Sequence, residues 1–163
     1  MATFYGKYEG VVDNNFDPLG KGRLLVKVPS IFGDDTVWAQ PCVPYAGPDI
    51  GFFMMPPANA YVWIEFAAGD PHRAIWSGCF WGDNESPPVS MSPVAEKKKV
   101  LKTDTCTLTM DDTPGAGGIT IETTSGHKIK LSATGIEVDN GKGATIKLSG
   151  PSIKLNEQAL EVM

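Results

Sequence analysis

The C-terminal third of the chain repeats one short pattern, and this repeat constrains the fold more than any other feature. Six apolar pairs, each with one polar residue in the middle, begin at positions 119, 129, 136, 146, 153 and 160. Apolar residues that alternate with polar ones place every apolar side chain on the same face of an extended strand. The repeat therefore predicts an array of similar short strands with one apolar face.

The sequence offers nothing else to cover that face. The repeat has no helical pattern, and all Trp, Tyr and Phe residues lie at or before Trp81. A single stack of strands would leave its apolar face and both edges in water, which favours aggregation. Three chains that turn these faces toward a common axis would form a narrow prism, which aliphatic side chains fill and aromatic rings would overpack. A monomeric β-solenoid is the alternative, but its coils are normally longer. We predict an intertwined three-chain β-helix whose trimer core is formed by Ile119, Ile121, Ile129, Leu131, Ile136, Val138, Ile146, Leu148, Ile153 and Leu155.

The N-terminal half is predicted to be a small all-β barrel. Strand-like runs at residues 8–12, 23–29, 37–41, 61–66 and 74–80 are separated by turns rich in Gly, Pro and Asp. Five strands in such a short segment favour a closed or nearly closed barrel, because closure removes exposed strand edges.

Five fragments of this half occur in an order and spacing that carry a resemblance to a known family. They are Gly10-Val11-Val12, the stretch from Asp17-Pro18 to Val28-Pro29, Trp38-Ala39, Pro44-Tyr45-Ala46-Gly47, and the stretch from Val62 to Gly69-Asp70-Pro71. Residues 8–82 resemble the OB-fold domain of the central spike proteins of contractile injection machines. That family includes phage baseplate assembly protein V and the valine–glycine repeat proteins of type VI secretion. One departure is the stretch 56–62, which lacks the Gly-Asp or Gly-Glu pair common in the family.

We predict three segments, namely an OB-fold barrel at 1–82, a linker at 83–104 and a trimeric β-helix spike at 105–163. Pro-rich residues around position 87 favour extended backbone in the linker. One branch of the family has a muramidase domain between barrel and spike, and about twenty residues cannot hold one.

The resemblance implies a structural role. It implies a homotrimer that docks on a baseplate hub protein by its OB domain and pierces a target membrane. It places the protein in a phage virion baseplate or another contractile injection particle, assembled in the bacterial cytoplasm. Because the chain lacks the family's iron-binding His-x-His tip, the resemblance favours capping by a separate PAAR-type tip protein. The platform expected for it consists of Leu160, Val162 and Met163.

Composition argues against other function classes. Residues 1–95 hold five basic and ten acidic side chains, which disfavours nucleic acid as a partner. No catalytic motif emerges, so we expect no enzyme activity, and neither a cofactor nor a metal. The three cysteines have no metal-ligand spacing and are expected to be buried thiols. A role for His127 on the axis of the trimer is left open.

The alternative function is an OB-fold module that binds oligosaccharide or single-stranded nucleic acid by stacking on Trp38, Trp63, Trp76 and Trp81.

Overall fold

The computed structural model describes residues 2–89, 95–157 and 159–162, and these residues form two compact, largely β units. The first unit is Met1–Glu85 and the second is Ser86–Met163. The predicted all-β class, with a closed barrel in the N-terminal half and a β-rich C-terminal part, is confirmed.

Five strands close the barrel in the spatial order β1-β2-β3-β7-β6. They are β1 (Tyr8–Asn14), β2 (Leu24–Lys27), β3 (Thr36–Pro41), β6 (Tyr61–Phe66) and β7 (Ala74–Phe80). Neighbouring strands are antiparallel except β3 and β7, whose parallel pairing of Gln40 with Ile75 completes the barrel. A short helix α1 (Pro29–Phe32) and a 3-10 turn (Ala67–Gly69) lie between strands.

The barrel core is formed by buried residues that alternate with more exposed ones along the strands. Along β6, Val62, Ile64 and Phe66 are buried, whereas the residues between them are partly exposed. The same alternation in the other strands fills the interior with aliphatic and aromatic side chains. The buried set is Val12, Leu24, Val26, Val28, Ala39, Val62, Ile64, Phe66, Ala74 and Trp76.

A small hairpin projects from the connection between β3 and β6. It consists of β4 (Ala46–Gly47) and β5 (Ile50–Gly51), which pair only with each other. Asp49 takes a positive φ of 58° at its turn, where Asp is tolerated better than most residues.

Eight strands of the second unit form one antiparallel sheet in which each strand pairs with its neighbours in sequence. They are β8 (Lys98–Lys102), β9 (Cys106–Asp111), β10 (Gly118–Thr123), β11 (Lys128–Ser132), β12 (Gly135–Asp139), β13 (Thr145–Ser149), β14 (Ser152–Leu155) and β15 (Leu160–Val162). The described strands therefore hydrogen-bond within one chain. Closure by three chains, which the sequence predicts, remains a proposal.

Two glycines, Gly118 and Gly135, begin strands of this sheet at positions where a side chain would not fit. A Cβ on Gly118 would lie 2.0 Å from the carbonyl oxygen of Leu131, and a Cβ on Gly135 would lie 2.0 Å from that of Leu148. Both glycines also have φ near +145°, a region that side chains avoid. Gly135 and Leu148 follow Gly118 and Leu131 by 17 residues, so the same two-strand unit occurs twice.

The sheet begins earlier than the sequence suggests. Residues 83–104 read as a linker, yet they include a 3-10 turn (Ala95–Lys97) and strand β8. Lysines dominate β8, so its apolar residues Val100 and Leu101 show no alternation. Its pairing with the alternating strand β9 makes it part of the sheet.

Candidate functional site

The apolar side chains of the C-terminal sheet form two unbroken cross-strand ladders on one face. The register aligns Ile121, Ile129, Val138, Ile146 and Leu155 in the first ladder. The second ladder contains Ile119, Leu131, Ile136, Leu148 and Ile153. These are the ten residues predicted to form the trimer core, and the structure brings all of them to one surface. We call it the ladder face.

The ladder face is exposed in the single chain. Nine of its ten residues keep between 39% and 48% of their surface in contact with solvent, and Leu155 is partly buried. The polar residues between the apolar pairs are less accessible, since Lys130, Glu137 and Lys147 are each only partly exposed. Aliphatic side chains that are more exposed than the charged residues between them indicate a face without its partner.

Within the described residues, the C-terminal unit has no core of its own. Every buried apolar side chain that the structure describes lies in the barrel. Full burial of a Val, Leu or Ile side chain contributes about 1.5–3 kcal/mol, so covering the exposed two-fifths contributes roughly 0.6–1.2 kcal/mol. Over nine such side chains the gain is roughly 5–11 kcal/mol per chain, which is comparable to the whole stability of a small domain.

The opposite face carries a ladder of charges that matches the strand register. Lys130 pairs with Glu137, and Glu137 pairs with Lys147, whose Nζ lies 3.7 Å from Glu137 Oε1. Glu122, Lys128 and Asp139 form a second alternating row. Opposite charges that face each other across strands stabilise the register by a few tenths of a kcal/mol per pair, roughly. Because these side chains are charged and at least partly exposed, this face is suited to remain in water.

The predicted tip platform lies at the far end of the sheet. Leu160 begins β15 and is 54% exposed. The backbone of Val162 pairs with that of Ile153, which places Val162 in line with the second ladder. Met163 lies outside the described residues.

The four tryptophans do not form one stacking surface. Trp76 is buried in the barrel, and its Nε1 donates a hydrogen bond of 3.1 Å to the carbonyl of Gly22. Trp63 is occupied by a stacked contact with Phe80 at a centroid distance of 4.4 Å. Trp38 is covered by the guanidinium of Arg23, 4.7 Å from the ring centroid. Trp81 alone of the four is exposed, at 60%, and one free ring does not make the row of stacking rings that single-stranded nucleic acid requires.

The other polar residues considered as sites, His127 and Asp111, make local contacts at turns of the sheet. His127 Nδ1 lies 2.7 Å from Ser125 Oγ at an exposed corner of the sheet, and no described carboxylate orients the ring. Asp111 caps the turn after β9, where the hydroxyl and backbone N–H of Thr113 lower the pKa of its carboxyl. Among the described residues, no group of three His, Cys, Asp or Glu side chains is arranged to hold a metal ion.

The prediction that the cysteines are buried is wrong. Cys42, Cys79 and Cys106 are unpaired and exposed. Their positions explain the difference. Cys42 follows the end of β3, Cys79 lies near the end of β7 and Cys106 is the first residue of β9, so none points into the barrel core.

Sequence reasoning missed the interaction that organises the loop between β1 and β2. From the sequence, Asp17 is only one of several Asp residues in predicted turns. The Asp17 carboxylate accepts hydrogen bonds from the backbone N–H groups of Leu19, Lys21 and Arg23, and it forms a 2.7 Å ion pair with the Arg23 guanidinium. The Arg23 side chain, assisted by these N–H groups, holds the pKa of Asp17 far below its usual range. The six-residue spacing of Asp and Arg around two glycines was the available signal.

Comparison with known families adds an independent assignment for each unit. Residues 8–81 match the model described as the type VI secretion system/phage-baseplate injector OB domain. Residues 98–161 match the phage baseplate V C-terminal trimerisation domain. No curated protein matches the chain. In the portion that the structure describes, no helix has the length and apolar character needed to cross a membrane.

Proposed function

The chain belongs to the phage baseplate V family, and from this premise we propose that it is the central spike of a contractile-tail baseplate. Its family consists of structural baseplate components rather than enzymes. The match of residues 98–161 to a trimerisation domain supports a homotrimer. A location in the baseplate of a virion or injection particle follows from the same two domains.

One observation carries the proposal, namely the exposed ladder face on a unit whose described residues form no core. Three such faces turned toward a threefold axis would bury both ladders and leave the charge ladder in water. Since each sheet is already hydrogen-bonded within its own chain, the three chains would associate through side chains. At about 4.8 Å between strands, eight strands give walls roughly 34 Å long. A closed prism with a dry aliphatic interior is stiff, as a piercing rod must be.

Sedimentation equilibrium of the full chain tests this proposal. We expect a mass close to three times the 17.5 kDa of one chain. A mass near 17.5 kDa at micromolar concentration would refute it, because a folded single chain would then tolerate the exposed ladder face.

We further propose that the barrel docks on a hub protein and that Leu160, Val162 and Met163 form the platform for a tip protein. Leu160 supports the second part, since it is apolar, 54% exposed and located on the outermost strand of the sheet. Three copies around an axis would present a blunt apolar end, which a small PAAR-type protein would cover.

Deletion of residues 159–163 should abolish binding of the tip protein and leave the trimer intact. The point variant Leu160→Ser separates loss of the apolar side chain from loss of the strand, because β15 keeps its backbone pairing with β14. Glu161→Ser, in the same strand, is the control. Tip binding that is unchanged in both the deletion and Leu160→Ser contradicts the platform.

The spike would be assembled in the bacterial cytoplasm and pierce a membrane transiently when the tail contracts. Particles that carry a variant with a weakened ladder face should still contract but should release less dye from target vesicles. Equal dye release by variant and wild-type particles would show that stiffness of this rod is not what opens the membrane.

A further inference from the structure

A second exposed apolar surface lies on the barrel unit and is separate in sequence from the ladder face. The β4–β5 hairpin and the residues beside it expose five large apolar side chains. We call this surface the hairpin patch, and it consists of Tyr45 (59% exposed), Ile50 (56%), Phe52 (50%), Phe53 (75%) and Met54 (39%).

The hairpin patch is large and nearly uncharged. An aromatic side chain contributes about 150–250 Å², so its three rings alone expose roughly 350 Å². A contiguous apolar patch of a few hundred Å² is about the largest that a typical monomeric protein exposes, and such a patch is often functional. Between residues 45 and 57 the only charged residue is Asp49, at the hairpin turn. A partner would therefore cover the patch with little cost for removing charges from water.

A groove beside the hairpin extends this surface. It has a volume of about 470 Å³ and is lined by both the hairpin and the loop between β1 and β2. Apolar parts of Pro41, Val43, Met55 and Trp76 line it. A partner side chain that entered the groove would meet the apolar residues next to the barrel core.

We propose that the hairpin patch of each chain packs against the barrel of a second copy within the same trimer. This inference rests on the homotrimer of the proposed function. Seventeen residues separate the end of β7 at Phe80 from the start of β8 at Lys98. Even fully extended, they reach only about 60 Å, so three joined C-terminal units hold their barrels at an effective concentration in the millimolar range, roughly. At such a concentration a modest apolar contact is populated without any other partner.

Threefold geometry also requires a second, different surface on the barrel. In a ring of three, each contact joins two different patches, because the interface is heterologous. The barrel has a second exposed apolar position in Trp81, which is 60% exposed and follows the ring of Phe80 that stacks on Trp63. A hairpin patch on one copy and a Trp81 surface on the next would satisfy that geometry.

Photo-crosslinking of the full chain tests the inference with a matched control. Phe53 is 75% exposed and lies in the hairpin patch, whereas Tyr5 is 73% exposed, precedes β1 and does not line the groove. Each is replaced in turn by p-benzoylphenylalanine, and the mass of each variant is measured before irradiation. We expect the probe at position 53 to give at least five times more chain-to-chain product than the probe at position 5. The cross-links should map to barrel residues of another chain, and their yield should not change over a hundredfold dilution.

Two results would overturn the inference. One is a trimer in which both probes give equal yields. The other is an assembled particle in which the probe at position 53 reacts with a different protein and not with a second copy. A mass of one chain would refute the proposed function as well, so failure of the trimer and failure of the barrel contact are distinguished by the same samples.

Discussion

Truncation of one apolar side chain of the ladder face should weaken the trimer by an amount that can be worked out from the structure. Ile136 lies on β12 between Leu131 and Leu148 and is 41% exposed in the single chain. Truncation of a buried Ile to Ala costs about 2–5 kcal/mol. About two-fifths of that cost, roughly 1–2 kcal/mol per chain, belongs to the surface that only association covers.

Because the substitution occurs three times per trimer, Ile136→Ala should raise the free energy of association by about 3–6 kcal/mol. Each 1.4 kcal/mol is tenfold, so the dissociation constant rises by roughly 10²–10⁴. The dissociation constant of a trimer has units of concentration squared. The concentration at half dissociation therefore rises by the square root, about 10- to 100-fold.

Sedimentation over a dilution series measures this concentration directly. Glu137→Ala is the control, since Glu137 is the next residue on the same strand but lies on the opposite face, where its ion pair with Lys147 is partly exposed. Loss of such a pair costs at most about 1 kcal/mol. If Ile136→Ala shifts the midpoint no more than Glu137→Ala does, the ladder face is not the trimer interface.

Three further predictions concern the barrel, the corners and the tryptophans. Asp17→Asn should lower the melting temperature of the barrel at pH 7. Because folding lowers the pKa of Asp17, the difference in melting temperature between wild type and variant should persist above about pH 4, the ordinary pKa of Asp. This advantage of the wild type should shrink in stronger acid. An advantage that grows as the pH falls would contradict this assignment. In urea denaturation, Gly135→Ala should destabilise the C-terminal sheet more than Gly143→Ala. Both glycines have a positive φ, but only a Cβ at position 135 would meet a neighbouring carbonyl. Equal losses of unfolding free energy in the two variants would show that the backbone relaxes around the new side chain. Titration with single-stranded DNA or cell-wall oligosaccharide should leave the tryptophan fluorescence unchanged, and a saturable change would revive the binding-module alternative.

The regular parts of the fold were predictable because their sequence alternates. In β10 to β14 one residue in two is apolar, and in β6 aliphatic or Phe residues alternate with Tyr, Trp and Glu, which predicts both the strand and its buried or ladder side. The closed barrel followed from strand count and from the physical cost of open edges. The ten residues of the ladder face were therefore identified from the sequence, although their role as a trimer core stays a prediction.

Other parts depend on contacts between distant residues, which local pattern does not encode. Strand β8 is defined by its pairing with β9 and not by its own lysine-rich residues. The hairpin of β4 and β5 is short and glycine-rich, so it reads as a loop. The parallel contact of Gln40 with Ile75 that closes the barrel joins residues far apart in sequence. The Asp17 and Arg23 pair was visible as residue types, but its five hydrogen bonds depend on the folded loop.

The 17-residue separation between equivalent corners has an evolutionary consequence. Each such unit is a complete hairpin that bonds only to the hairpins before and after it, with its own corner glycine and its own rungs of both ladders. In-frame duplication of one unit would lengthen the wall by two strand spacings, about 9.6 Å, without changing the register on either side. Loss of one unit would shorten it by the same step. The length of such a wall would therefore change only in steps of this size, while the pairing of the remaining strands stays the same.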